Sequence, residues 1–246
     1  MMIPGQRRKE IYHFCLLIVA IFVNICLASP RSEQTLDNAL LAYWPFDEFE
    51  GDMIFDESGH SNDGTIFGNV DWVSGIVGGA LRFNNSSAYV EVPHLANFRA
   101  MEVTIAVWVY QERTGDTTWS GVVTKGGHNP RKGFSLRFGW YNDMRFGIGG
   151  GSDFIGPESC WLDTEQWHFV VGTFDGECVK LYVNGVLAKE TGYSGPFEVG
   201  TAPIIIGNSQ AHNCPFFGKI DEVRIYDRAL TAEEIQALYQ KALEGD

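Results

Sequence analysis

The chain is 246 residues long, 45% hydrophobic and 20% charged, with a formal net charge of −13. That length favours one sandwich-sized domain over two. So acidic a surface argues against nucleic acid and anionic membranes as partners, and suits either plain solubility or uptake of divalent cations.

The chain begins with a basic cluster, Arg7, Arg8 and Lys9, followed by an almost wholly apolar run over 15–26 and small residues at Ala28 and Ser29. Residues 1–28 therefore read as a secretory signal peptide. An uncleaved anchor is the alternative, because the run approaches bilayer-spanning length. Nothing later in the sequence is apolar enough to span a membrane, so the mature chain is expected to be secreted or extracytoplasmic, at the cell surface. Residues 29–39 are polar and read as a disordered lead-in.

From Leu40 onward, short apolar runs alternate with Gly, Asn, Asp and Pro, the pattern of an all-β sandwich. Residues 40–46 open it, and 79–83 and 88–92 bracket a turn at 84–87. The strongest strand is 101–110. Val103, Ile105, Val107 and Val109 share one face, with Ala106, Trp108 and Tyr110 on the other, so the strand is expected to be central. Residues 134–138 and 144–148 form one hairpin and 167–174 and 179–183 another, with Asp175-Gly176 and Asn184-Gly185 suited to tight turns. A short strand at 203–207 precedes a last strand containing Ile220, Val223 and Ile225. Thr231 to Glu234 then reads as a capping box, and Ile235, Leu238 and Tyr239 follow at helical spacing, which predicts one short C-terminal amphipathic helix.

Five cysteines occur, of which Cys160, Cys178 and Cys214 follow the signal. In an oxidising compartment one disulfide and one free thiol is the simplest arrangement. Cys160 and Cys214 both lie in loop-like sequence, whereas Cys178 opens a strand, so Cys160–Cys214 is the expected bridge.

The first hairpin carries the sharpest local inference. With 139–143 as its loop, Phe138 faces Met144, Leu136 faces Phe146 and Phe134 faces Ile148, giving a uniform apolar face. The same register places Arg137 directly opposite Arg145 on the other face, and like charges so placed destabilise a sheet. Internal acid neighbours or solvent offset them, or two guanidinium forks hold an acidic ligand such as a uronate, sialate or sulfated sugar. Trp140 and Tyr141 at the hairpin tip, with Trp119, Phe154 and Trp161 in Gly-rich connections, offer rings on which a sugar could stack. Trp108 and Trp167 lie in apolar strands and read as core.

The run from Gly218, G-K-I-D-E-V-R-I-Y-D-R-A-L-T-A-E-E-I, resembles the closing signature of the laminin G-like jelly-roll family, within the concanavalin A-like lectin/glucanase superfamily. Trp44-x-Phe46-Asp47-Glu48, Asn62-Asp63-Gly64, Gly78-Gly79-Ala80-Leu81-x-Phe83 and the run 167–176 extend the resemblance over residues 40–246. It implies an all-β, two-sheet antiparallel jelly-roll sandwich. It also implies a structural calcium ion between an early loop and the closing strand, for which Glu48, Asp56 and Asp221 are the matching positions. The competing reading is that Asp56 and Asp221 accept backbone N–H bonds and organise turns. Glycoside hydrolases among related jelly rolls present two carboxylates on one strand face, in a pattern such as Glu-x-Asp-x-x-Glu. No such pattern occurs here, and the adjacent Asp221 and Glu222 would point to opposite faces of a strand. The expected function is therefore non-catalytic binding of extracellular glycan, with a protein-adhesion or scaffold module binding a cell-surface protein, and a divergent glycoside hydrolase, as alternatives.

Overall fold

The computed structural model describes residues 36–245 except 37, 97, 99–100, 114–118, 127–130, 140–141, 151–153 and 158. The expected signal lies outside the described residues. Of the expected lead-in, Leu36, Asn38 and Ala39 are described. Leu36 packs against the apolar cluster beneath the C-terminal helix and Ala39 is buried in it, so the folded domain reaches back past Leu40.

In chain order the strands are β1 (Leu40–Trp44), β2 (Met53–Ile54), β3 (Gly64–Phe67), β4 (Val70–Ser74), β5 (Gly79–Phe83), β6 (Tyr89–Val92), β7 (Val103–Gln111), β8 (Gly121–Lys125) and β9 (Phe134–Phe138). They continue as β10 (Asp143–Gly149), β11 (Phe154–Ile155), β12 (Cys160–Trp161), β13 (Trp167–Phe174), β14 (Cys178–Val183), β15 (Val186–Gly192), β16 (Ile204–Ile206) and β17 (Gly218–Tyr226), before helix α1 (Ala232–Glu244). The result is a mostly-β jelly roll of two antiparallel sheets with one short C-terminal helix. The first sheet runs β15-β14-β13-β7-β17-β5-β4, and β1 also pairs with β17. The second runs β11-β10-β9-β8-β16-β6-β3-β2, and β12 also pairs with β10.

Strand β7 is central, as its two apolar faces require, and its faces serve different layers. Val103, Ile105, Val107 and Val109 join Leu81, Phe83, Val170 and Ile220 in the core between the sheets, opposite Val90, Val92, Leu136, Phe146, Ile204 and Ile206 of the second sheet. Ala106 and Trp108 point the other way and pack with Phe169, Val171 and Tyr182 against Ile235, Leu238, Tyr239 and Ala242 of α1. Trp108 stacks on Tyr239 with ring centres 5.6 Å apart. The helix is held at its start by a full capping box. The Thr231 side chain accepts from the Glu234 N–H at 3.2 Å, and Glu234 Oε2 accepts from the Thr231 N–H at 2.8 Å. Both orphan donors are thereby satisfied. The Asn184-Gly185 turn takes left-handed φ at both residues, 51° and 79°, as a two-residue hairpin with the sheet's twist demands.

Helix α1 packs on the outer face of the first sheet, while the outer face of the second sheet carries the partly exposed Arg137 and Arg145. One contact ties that surface to the core. Gly172 on β13 has no side chain because the Phe146 ring of β10 fills the space where a Cβ would sit. A Gly172→Ala substitution should therefore destabilise the fold by about 1–3 kcal/mol through overpacking. Urea unfolding measures this directly, and an unchanged midpoint would show that Phe146 yields without cost.

Candidate functional site

The hairpin of β9 and β10 has the register its sequence pattern predicts. Met144 pairs with Phe138, Phe146 with Leu136, Ile148 with Phe134, and Arg145 directly with Arg137. The apolar residues enter the core, so both arginines stand on the outer face. Their repulsion is offset in two ways. Arg145 Nε and Nη2 donate to Asp143 Oδ2 at 2.8 and 2.7 Å, and that aspartate is itself buried. Both guanidinium carbons also lie over the Trp119 ring, 4.4 Å from its centre for Arg137 and 5.1 Å for Arg145. An aromatic face is negative and attracts a cation held this close.

Trp119 reaches this position through its backbone. It sits just before β8 with φ of 71°, a left-handed conformation uncommon for a bulky side chain. Conformational cost of this kind persists where the surroundings impose it, and it concentrates at functional sites. The ring, the two arginines, Arg131 and Phe154 line a cleft of about 340 Å³, closed by Gly156 and Pro157. Arg131 and Arg137 both approach the Phe154 ring, at 5.5 and 5.3 Å. Three guanidinium groups share the cleft wall, and none of its described lining residues is a carboxylate. Such a cleft suits a planar anion, which forked N–H donors bind in pairs.

The structure thus brings together Trp119, Arg137 and Arg145 from the sequence-predicted set. Trp161 stands apart on β12, opposite Asp143 of β10 and 67% exposed. Trp140 and Tyr141 lie outside the described residues. Sequence reasoning missed Arg131, which joins the cleft only through tertiary packing. Gly156-Pro157 was a readable turn signal, and a Cβ at Gly156 would run into the Phe146 carbonyl, which shows how tightly that connection crosses β10.

The expected Cys160–Cys214 bridge is not formed. All three described cysteines are free. Cys160 is held on β12 by pairing with Met144 of β10. Cys214 lies in the loop after β16, its N–H donated to Asn208 Oδ1.

The three acids proposed from the resemblance behave differently. Asp56 organises the opening loop. Its Oδ1 accepts from the Tyr43 and Ser58 N–H groups, and Oδ2 from Ser58 Oγ and the Asn62 N–H, all at 2.9 Å. Those bonds fill its oxygens and hold it below the usual carboxylate range against the opposing effect of burial. Glu48 and Asp221 each keep one buried carboxylate oxygen, Oε2 and Oδ1, without a hydrogen-bond partner. The other oxygen of Asp221 accepts from the Ile76 and Val77 N–H groups at 2.8 and 3.2 Å. Among the described residues no three His, Cys, Asp or Glu side chains converge as a metal-holding group. Two of the three acids therefore retain a vacant oxygen that a hard cation could take, and Asp56 does not.

Sheet order and layering define a jelly-roll fold of the lectin-like class. A model of the concanavalin A-like lectin/glucanases superfamily, of laminin G type, matches residues 84–236. That is more than half of the chain, and the chain belongs to this superfamily. Domain 4 of a GH43 extracellular arabinanase from Geobacillus stearothermophilus, solved in complex with arabinotriose, is similar at 26% identity and a TM-score of 0.67, covering 82% of this chain and 98% of that one. The binding domain of botulinum neurotoxin DC, solved with rat synaptotagmin II, shares the fold at 14% identity and a TM-score of 0.67, covering 84% of this chain and 52% of that one. A botulinum neurotoxin type C structure, whose cell entry depends on two ganglioside molecules, does so at 14% identity and a TM-score of 0.68, covering 86% and 53%. No curated protein sequence matches the chain.

Burial, with Glu222 alongside, pushes Asp221 up to about 8, against about 3.9 for an ordinary aspartate. Between those values the folded protein holds a proton that the unfolded chain has released. The contribution of Asp221 is therefore complete below pH of about 4 and is lost as pH rises towards 8. In chelating buffer, Asp221→Asn should gain stability relative to the native protein as pH is raised through that window. Parallel stability curves from urea unfolding would show that the carboxyl titrates normally.

Proposed function

We propose that this domain is a secreted, non-catalytic carbohydrate-binding module that takes the anionic group of an acidic saccharide in the arginine cleft. The observation that carries this reading is the direct opposition of Arg137 and Arg145 over Trp119, with Arg131 and Phe154 completing the wall. A carboxylate or sulfate bound there would meet several N–H donors, and a sugar ring would find aromatic carbon beside it. Arabinotriose bound to the similar arabinanase domain supports a saccharide over other anions. The described residues of the cleft wall include no pair of carboxylates of the kind glycoside hydrolysis uses.

A glycan-array screen of the purified protein tests this. Selective binding of acidic glycans is expected. Each of Arg137→Ala, Arg145→Ala and Trp119→Ala should weaken it by roughly tenfold or more, as loss of charge-assisted bonds or of the stacking face would. Binding restricted to neutral glycans would overturn the arginine cleft. A blank array on folded protein would transfer the function to adhesion with a cell-surface protein.

The same reading includes a structural calcium ion held by Glu48 and Asp221. Its support is their two unpartnered buried oxygens and the burial that raises both carboxyls. The ion would supply positive charge against that burial. Excess calcium should raise the thermal midpoint over chelated protein, and Asp221→Asn should erase the difference. Coincident melts with and without calcium would refute the ion.

A further inference from the structure

A second cleft of about 140 Å³ adjoins the first and shares Trp119, Arg137 and Phe154 with it. Its far wall is different in kind. It is built by Ser135 on β9, Thr124 on β8 and the loop that follows β16, and among its described residues the shared arginine is the one charged group.

Two amides in that loop have their orientation fixed by their neighbours. Gln210 Nε2 donates to the Thr124 and Pro203 carbonyls at 3.2 and 2.9 Å, which commits both hydrogens and leaves Oε1 as an acceptor. Asn213 is turned the opposite way. Its Oδ1 accepts from Ser209 Oγ at 3.0 Å and Cys214 Sγ at 3.4 Å, which leaves Nδ2 as a donor. The loop itself is pinned from beneath by Asn208, which is fully buried. Asn208 Oδ1 accepts from the Ser209 and Cys214 N–H groups at 2.8 and 3.1 Å, while Nδ2 donates to the Ser86 and Ala88 carbonyls. The cleft therefore offers one pre-set acceptor and one pre-set donor on a rigid support. A sugar hydroxyl both donates and accepts, so neighbouring hydroxyls on an uncharged ring are the natural complement.

We propose that this second cleft is a neutral-sugar subsite. The ligand is then an oligosaccharide whose acidic residue lies in the arginine cleft and whose adjoining uncharged residue lies against Gln210 and Asn213, with Trp119 at the junction. This rests on the acidic-saccharide reading above and adds to it the order and number of the residues recognised.

Calorimetric titration of the full protein with matched probes tests the proposal, using N-acetylneuraminic acid against sialyllactose, and glucuronic acid against glucuronyl-xylose. In at least one pair the longer sugar should bind more tightly than its acidic monosaccharide. Gln210→Ala and Asn213→Ala should each weaken that longer sugar roughly three- to tenfold and leave the monosaccharide unchanged, whereas Arg145→Ala should weaken both. As an independent readout on the native protein, the longer sugar should slow alkylation of Cys214, mapped by mass spectrometry, and the monosaccharide should not. If the longer sugars bind no tighter than their monosaccharides, or the amide variants bind them as the native protein does, the subsite is overturned and the arginine cleft stands. If folded protein binds no acidic probe at all, the acidic-saccharide reading falls and the subsite with it.

Discussion

Two consecutive carboxylates, Asp221 and Glu222, lie buried in the middle of β17, and the first sheet is arranged around how each is satisfied. A buried carboxylate left without partners costs several kcal/mol, so its neighbours are dictated by chemistry as much as by shape. Asp221 gathers the amides of Ile76 and Val77, and Gly75 beside it has no room for a Cβ. Glu222 accepts from the Tyr43 hydroxyl at 2.6 Å and from Arg224 at 2.7 Å, while the Arg224 guanidinium lies 3.9 Å over the Tyr43 ring. To serve both directions the strand breaks its register between Asp221 and Arg224, and Glu222 adopts a φ of 55°. This bulge is also where the edge of β17 passes from β5 to β1.

That arrangement decides which surface is available. With β17 and β7 at its centre, the first sheet turns one face to the inter-sheet core and the other to α1. The second sheet shares only the core, and its outer row carries Arg145 and Arg137 on neighbouring strands. The cleft floor is therefore as rigid as the sandwich. Phe146 lies between the empty position at Gly172 and the cleft itself, so packing of the two sheets and placement of the guanidinium groups are one problem. Guanidinium forks held in this way lose little freedom on meeting an anion, which favours binding over a cleft that must order itself first.

Much of this was legible in the sequence, for reasons that differ by residue. The 134–148 hairpin register followed from strict alternation of Phe134, Leu136 and Phe138 against Met144, Phe146 and Ile148, since a one-residue slip would have reversed every side chain. The centrality of β7 followed from its two apolar faces, and the helix start from Thr231 and Glu234. Asp56 was legible as one of two readings, and the four bonds it accepts are those of the loop-organising one. What could not be read was long-range. Cys160 and Cys214 share a loop-like composition but are positioned by different partners, β10 for one and Asn208 for the other. Arg131 reaches the cleft through loop packing that no periodicity encodes, and the left-handed backbone that aims Trp119 has no signature in a tryptophan. The opposite-face expectation for Asp221 and Glu222 assumed a regular strand, which the bulge interrupts.

The position of β17 in the first sheet also has a consequence for how the chain acquires its structure. Strands β7 and β5 flank it, yet neither can be joined to the other until residues 218–226 have been made. A chain emerging from the ribosome thus has hairpins to form locally, β9 with β10 and β13 with β14, but no means of uniting the first sheet. Tyr43 and its partner Glu222 are separated by most of the domain, and closing so long a loop is slow. Assembly of the sandwich is consequently a late event that follows synthesis of almost all of it, and the half-made chain presents open strand edges until then.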